Sequence, residues 1–153
     1  MTPQKLPLNV GDSLPPLSRV VTQEKMDRFE AVGSQFVSAG GTAETPTNIH
    51  TNADSAREMG LPRPVASGQM SFAYLHELLA RQFGADFRQG GQLSVTFLKP
   101  VYAGDTVTAH GVVIGKDKIE HRVKLTLQVW LENQHGEKTS VGHAEVIIPS
   151  PLT

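Results

Sequence analysis

Apolar residues cover nearly the whole circumference of one segment near the middle of the chain. The segment is QMSFAYLHELLARQF, residues 69–83. Its apolar members are Met70, Phe72, Ala73, Tyr74, Leu75, Leu78, Leu79, Ala80 and Phe83. A helix that is apolar on almost every side is buried on most sides. The pattern therefore predicts a central, buried helix over residues 69–83.

The chain after this helix has the pattern of β-strands. Four runs rich in Val, Ile, Leu and Thr are separated by turn signals at YAGD, GKDK and NQHGEK. The runs are QLSVTFLKPV, DTVTAHGVVIGK, KIEHRVKLTLQVWLEN and TSVGHAEVIIP. Short connections between the last three favour an antiparallel meander. One long antiparallel sheet and one apolar helix predict an α+β fold in which the sheet wraps around the helix.

The N-terminal part of the chain predicts one short strand and one helix. The strand covers Leu17 to Val21, and Thr22 is placed to cap the helix that follows it. Gly33 supplies a stop signal for that helix. Residues 34–48 are small, polar and rich in glycine, which is typical of a surface loop. Both a plain linker and a loop that covers a substrate fit this composition.

Residues 48–70, NIHTNADSAREMGLPRPVASGQM, place a histidine directly before a short helix. Thr51 or Asn52 can cap that helix, Gly60 ends it, and LPRP prevents it from continuing. A single histidine in such a place is more often structural or solvated than catalytic. From the residues alone, the role of His50 therefore stays open.

Composition excludes several classes of protein. The 153 residues suit one domain, and 39% hydrophobic with 19% charged residues is ordinary for a globular protein. The net charge of -1 gives no overall field that favours nucleic acid or a membrane surface. Zero cysteines exclude disulfides and thiolate chemistry. The Met1 end lacks the pattern of a signal peptide, so we expect a cytoplasmic protein.

Metal and cofactor sites are not expected either. The five histidines besides His50 show no spacing typical of metal ligands: His76, His110, His121, His135 and His143. We therefore predict a protein without a bound metal or cofactor, with no role for these five side chains.

The segment NIHTNADSAREMGLPRPVASGQM followed by LSVTFLKPVYAGDTV resembles the MaoC-like, (R)-specific enoyl-CoA hydratase family. The resemblance runs over nearly the whole chain and implies one hot-dog domain over residues 1–153. It also implies hydration or dehydration of an enoyl or 3-hydroxyacyl thioester, carried on CoA or on an acyl-carrier protein. A homodimer, or a higher oligomer, is implied as well, because a single hot-dog sheet leaves open edges.

The sequence departs from the family pattern at one position of chemical importance. The family has an aspartate five residues before the histidine, in the form Asp-x-Asn-Pro-x-His, and this chain has Thr45 there. Thr47-Asn48 stands in place of Asn-Pro, and Asn52 replaces an acidic residue that is common two positions after the histidine. Thr45 cannot act as a carboxylate base. Its hydroxyl can hold a water, and Glu44 is the adjacent carboxylate.

The resemblance makes His50 a candidate catalytic residue, because an imidazole exchanges protons near neutral pH. The turn Ser67, Gly68 and Gln69 is the candidate oxyanion site. A helix N-terminus presents unpaired amides to a carbonyl that becomes enolate-like. Ser67 can equally be only the cap of the central helix.

Two further points follow from the resemblance. Arg63, Arg88 and Lys99 are candidates, by position alone, for contacts to the phosphates of the carrier. Two alternatives to a hydratase also remain. One is another reaction on the same scaffold, such as that of a thioesterase or isomerase, and the other is a non-catalytic hot-dog partner.

Overall fold

A five-stranded antiparallel sheet and four helices make up the described part of the chain. The computed structural model describes residues 8–37 and 45–150. In chain order the elements are β1 (Leu17–Val20), α1 (Gln23–Val37), α2 (Ala53–Glu58), α3 (Gly68–Phe83), α4 (Ala85–Gly90), β2 (Gln92–Phe97), β3 (Thr106–Ile119), β4 (Arg122–Glu132) and β5 (Lys138–Pro149).

The sheet has the strand order β1-β3-β4-β5-β2, and each neighbouring pair is antiparallel. The consecutive strands β3, β4 and β5 form the predicted meander, so that expectation is confirmed. Strands β1 and β2 occupy the two edges. The burial of β3 and β4 alternates along each strand, as expected for a sheet with one face on the core.

The turn between β3 and β4 differs from its prediction. GKDK was expected to be the turn, but these residues belong to β3, and the chain reverses at Glu120 and His121. The register with β4 shifts between Val113 and Gly115, so Ile114 is an extra residue next to this glycine, inside the strand. A glycine in a strand can therefore signal a bulge as readily as a turn.

The central helix α3 packs against β2, β3, β4 and β5, and the range 69–83 is confirmed. Its buried side includes Leu75 and Leu79, which are fully enclosed in the core. The expectation of burial on most sides is wrong at Phe72 and Ala73, which are exposed. One sheet covers only one side of a helix, so the second apolar side of α3 is left open.

The first helix is longer than the sequence signals indicate. The hydroxyl of Thr22 accepts a hydrogen bond from the amide of Lys25 at 3.2 Å, which confirms the predicted cap. Gly33 does not end the helix, because α1 continues to Val37. Glycine costs only about 1 kcal/mol relative to alanine in a helix interior, so it does not by itself stop one. The short helix α4 was not predicted.

An ion-pair cluster fixes α3 against the edge strand β1. The carboxylate of Glu77 accepts from Arg19 at 2.6 Å and from Arg81 at 2.9 Å. Partial burial acts to raise the pKa of Glu77, but the two arginines outweigh it and hold that pKa below its usual range. Burial raises the pKa of the neighbouring Tyr74.

The turn at Gly104 and Asp105 joins three parts of the fold. The carbonyl of Asp105 accepts from the amide of Val21 at 2.8 Å, and the amide of Gly104 donates to the carbonyl of Val21 at 2.7 Å. The buried carboxylate of Asp105 accepts from Arg63 at 3.3 Å and from Gln134 at 2.9 Å. It therefore links the start of α1, the segment before α3 and the β4–β5 hairpin.

Asp105→Ala should lower the free energy of unfolding by about 1–3 kcal/mol, because it removes the buried acceptor that Arg63, Gln134 and the amide of Tyr102 share. The carboxylate also accepts from the amide of Tyr102 at 2.8 Å. Urea unfolding, followed by the fluorescence of the single tryptophan, Trp130, measures this change. The control is Asp117→Ala at an exposed position of β3, where we expect a change within about 0.5 kcal/mol. Equal effects of the two variants would contradict the prediction.

Candidate active site

His50 lies in a tight turn directly before α2. The side-chain oxygen of Asn48 accepts from the amide of His50 at 2.8 Å. The carbonyl of Asn48 accepts from the amides of Thr51 and Asn52 at 3.2 and 2.9 Å. Asn52 then caps α2 by accepting from the amide of Ser55 at 2.9 Å. The polar residues around the histidine therefore build the turn that presents it.

The ring of His50 is oriented by a backbone carbonyl. Nδ1 lies 2.7 Å from the carbonyl oxygen of Val65. A carbonyl can only accept, so Nδ1 carries the proton, and in the neutral ring Nε2 is left unprotonated. No group that the structure describes forms a hydrogen bond to Nε2. Nε2, with its free lone pair, is therefore the ring atom that can accept a proton.

Val65 belongs to a short ladder that ties the His50 turn to the sheet. Its amide donates to the carbonyl of Ile49 at 3.2 Å, and it forms a bridge with Tyr102. On either side of it, Ala66 donates to Val101 at 2.7 Å and Ala103 donates to Pro64 at 3.0 Å. The carbonyl that orients His50 is thus itself held in place.

The turn at Ser67 and Gly68 starts α3 two residues after Val65. Ser67 is the N-cap, yet its hydroxyl makes no capping bond, is buried, and has no hydrogen-bond partner among the described residues. The amides of Gly68 and Gln69 are the first two of the helix and have no partner within that same part of the chain. The turn therefore has two unpaired N–H donors and, beside them, an enclosed hydroxyl without a partner in the described part of the chain.

A cavity of about 340 Å³ borders this turn. Gly68 and Ser71 line it on the helix side, and residues 97–101 line it on the other. The ring of Phe97 lies so close to Gly68 that a β-carbon there would approach it to 2.8 Å. A side chain at position 68 would therefore have to displace the ring of Phe97 from the helix start.

The basic residues proposed for phosphate contacts separate into two groups. Arg63 and Lys99 line one cleft of about 330 Å³, which meets the first cavity at Lys99 and Pro100. Each has a carboxylate partner: Arg63 pairs with Asp105 and Lys99 with Glu137. Arg88 lies on α4 and lines neither cavity.

Of the two residues proposed to replace the family aspartate, Thr45 lies within the described residues and is not hydrogen-bonded to His50. Thr45 is exposed. The hydroxyl of Thr51 donates to the carbonyl of Pro46, which ties the chain just after Thr45 to the His50 turn. Glu44 lies outside the described residues.

One contact of His50 was missed by sequence reasoning. The side-chain amide of Gln23, at the start of α1, donates to the carbonyl of His50 at 2.9 Å and to the carboxylate of Asp27 at 2.8 Å. Gln23 and His50 are 27 positions apart. No local pattern in the sequence signals such a contact.

The described residues contain neither a cluster suited to a metal ion nor a helix suited to a membrane. Within 8–37 and 45–150, no group of three or more His, Asp or Glu side chains is arranged to hold a metal ion. In that same part of the chain, no helix is both long enough and apolar enough to cross a membrane.

Solved structures share this architecture. A MaoC-like dehydratase from Rhodospirillum rubrum is 23% identical, with a TM-score of 0.72 over 95% of this chain and 96% of that chain. An (R)-hydratase from A. caviae involved in PHA biosynthesis is 23% identical, with a TM-score of 0.72 over 94% and 98%. The ChsH1-ChsH2 complex from Mycobacterium tuberculosis is 17% identical, with a TM-score of 0.71 over 92% and 98%. The predicted hot-dog fold is confirmed.

Of the two sequence comparisons, one identifies a family that agrees with the fold. A search of curated proteins returned no match. Residues 45–134, more than half of the 153 in the chain, match the family model described as "MaoC like domain". The match spans the His50 turn, the start of α3 and the Gly104–Asp105 turn. This chain belongs to the MaoC-like domain family.

Proposed function

We propose that the protein is a hydratase/dehydratase that acts on an enoyl or 3-hydroxyacyl thioester of CoA or of an acyl-carrier protein. The observation that carries the proposal is the orientation of His50. Its Nδ1–H is held by the carbonyl of Val65, two residues before the turn at Ser67. The carbonyl that orients the proton acceptor and the unpaired donors of the α3 start therefore lie within five consecutive residues, 65–69. The (R)-hydratase among the structural neighbours supports the same chemistry.

His50 is assigned the proton transfers in this reaction. In hydration, Nε2 takes a proton from water while the oxygen of that water bonds to the β-carbon of the enoyl group. The electron pair of the C=C bond moves to the thioester, whose oxygen becomes enolate-like. The imidazolium then returns a proton to the α-carbon. Dehydration is the same sequence in reverse.

The turn at the start of α3 is assigned the thioester oxygen. The amides of Gly68 and Gln69 are unpaired in the described part of the chain, and donors of this kind stabilise an enolate more than a ketone-like carbonyl. The hydroxyl of Ser67 is enclosed in the same turn and has no hydrogen-bond partner among the described residues, and we assign it as a further donor to the bound thioester. Its lack of a capping bond supports a role in ligand binding beyond the N-cap.

A homodimer is part of the proposal. The outer edge of β2 has no partner strand in the sheet. Apolar side chains lie beside it: Phe97 and Leu98 are each 53% exposed, and Phe72 is 38% exposed. Gly68 contacts Phe97, and Phe72 is one helical turn after Gly68, so these side chains share one side of α3 and the sheet. A second copy joined along β2 covers this patch.

The first test measures hydration of crotonyl-CoA and of a wider panel of acyl thioesters. His50→Ala should lower the rate by about 10²-fold or more, the size expected of a positioned acid/base. His143→Ala, at an exposed histidine of β5, is the control and should match the native rate.

Two further variants test the departure from the family pattern. Thr45→Asp should raise the rate, because it restores a carboxylate at the family position, and Glu44→Gln should lower it only if Glu44 acts as the substitute. Tight binding of an acyl thioester with no turnover, unchanged by His50→Ala, would reject catalysis in favour of a non-catalytic partner. The structural neighbour solved as the ChsH1-ChsH2 complex supports this second outcome.

The second test is the mass in solution by light scattering at micromolar concentration. The native protein should be a dimer, and Leu98→Lys should shift it toward the monomer by burying a charge in the interface. Val20→Lys, at a 48% exposed position on the opposite sheet edge, is the control and should leave the dimer intact. A native monomer would contradict this assembly.

A further inference from the structure

We infer that Gln23 and Asp27 are a positioning pair for His50, an inference that rests on the proposed function of His50. Neither residue is placed to touch a substrate in this assignment. Asp27 orients the side-chain amide of Gln23, and Gln23 holds the carbonyl of His50. The pair thereby fixes the backbone from which the imidazole projects.

The amide of Gln23 lies between two acceptors. Nε2 is 2.8 Å from the carboxylate of Asp27 and 2.9 Å from the carbonyl of His50. Neither acceptor can donate, so the NH₂ end of the amide must face both of them. The reversed orientation would place the amide oxygen against two other oxygens. Asp27 therefore determines which end of Gln23 faces the histidine.

The base of Gln23 is rigid. It is the first residue of α1, directly after Val21 and Thr22. Val21 is fully buried and forms two hydrogen bonds with the Gly104–Asp105 turn, and Thr22 caps the helix. Asp27 is one turn later on the same helix, at the spacing where side chains meet. Gln23 is thus held beside the sheet through Val21, and Asp27 is held by its position on α1.

His50 is then held from two directions. Gln23 binds its carbonyl, and Val65 binds Nδ1 of its ring. The Gly104–Asp105 turn supports both, through Val21 on one side and through Arg63 on the other. Together with the hydrogen bond from the amide of His50 to Asn48, these contacts fix the position of Nε2 in the described part of the chain.

The same helix offers a matched control. Glu24 and Arg28 form an ion pair at 2.7 Å with the same spacing of four residues. Both side chains are exposed, at 71% and 78%, and neither contacts the His50 turn. Arg28→Ala therefore removes a pair from α1 without changing the contact to His50.

The experiment compares Gln23→Leu, Asp27→Ala, the double variant and Asp27→Asn with the native protein and with Arg28→Ala. Gln23→Leu and Asp27→Ala should each lower kcat by about tenfold, because a small displacement of a reacting group has a large effect on rate. KM should stay within about twofold, since the residues do not bind the substrate. The double variant should be no slower than Gln23→Leu, because Asp27 acts through Gln23.

Asp27→Asn distinguishes orientation from charge. The oxygen of an asparagine can still accept from Gln23, so this variant should keep a kcat close to that of the native protein. A loss equal to that of Asp27→Ala would overturn the inference, because it would mean that the negative charge is what matters. Additive losses in the double variant, or an equal loss in Arg28→Ala, would overturn it as well.

Amide hydrogen exchange separates this inference from the proposed reaction. In Gln23→Leu the amides of Thr51 and Asn52, which bond to Asn48 in the His50 turn, should exchange faster than in Arg28→Ala. If the native protein turns over no thioester, the proposed reaction fails, and the exchange rates alone decide the positioning role. Unchanged exchange at Thr51 and Asn52 would then overturn it.

Discussion

The turn at Gly104 and Asp105, with its buried carboxylate, is the constraint on which the rest of the site depends. Its backbone bonds to Val21 and its carboxylate to Arg63 and Gln134, so three chain segments that are distant in sequence meet there. A buried carboxylate without partners is costly, which means that these segments must be in place together. The arrangement of the His50 segment therefore depends on the other segments being folded around this turn.

This coupling explains how a mostly irregular segment can present a well-oriented imidazole. The His50 turn contributes few apolar contacts of its own. Its order comes from hydrogen bonds: Asn48 within the turn, Val65 at the ring and Gln23 at the carbonyl. The resulting tautomer leaves Nε2 as the proton acceptor, and the amides at the start of α3 follow directly along the chain from the residue that orients it. A general acid/base and an oxyanion site gain most from such prior positioning.

The sequence was most informative where structure follows from local periodicity. The range of α3, the β3–β4–β5 meander and the caps at Thr22 and Asn52 each depend on neighbouring residues, and each agrees with the structure. The exposure of Phe72 could not be predicted, because it depends on which side of α3 the sheet covers. Likewise, Gly115 is typical of a turn. Only its pairing with β4 shows that the strand continues there, past an irregularity in the register.

For the site, the residue types were predictable and most of their contacts were not. The family pattern identified His50 and the Ser67–Gln69 turn as candidates. The carbonyl of Val65 has no side-chain signature at all, and Gln23 reaches His50 across 27 positions of sequence. Main-chain acceptors and long-range contacts of this kind become visible only in three dimensions.

The ¹⁵N NMR spectrum of the imidazole of His50 tests the central claim most directly. At a pH where the ring is neutral, the account predicts the tautomer with the proton on Nδ1 and a bare Nε2. The Nε2 signal should respond when a 3-hydroxyacyl thioester is added. A neutral ring that carries its proton on Nε2 would contradict the account, because that nitrogen could not then accept a proton from water.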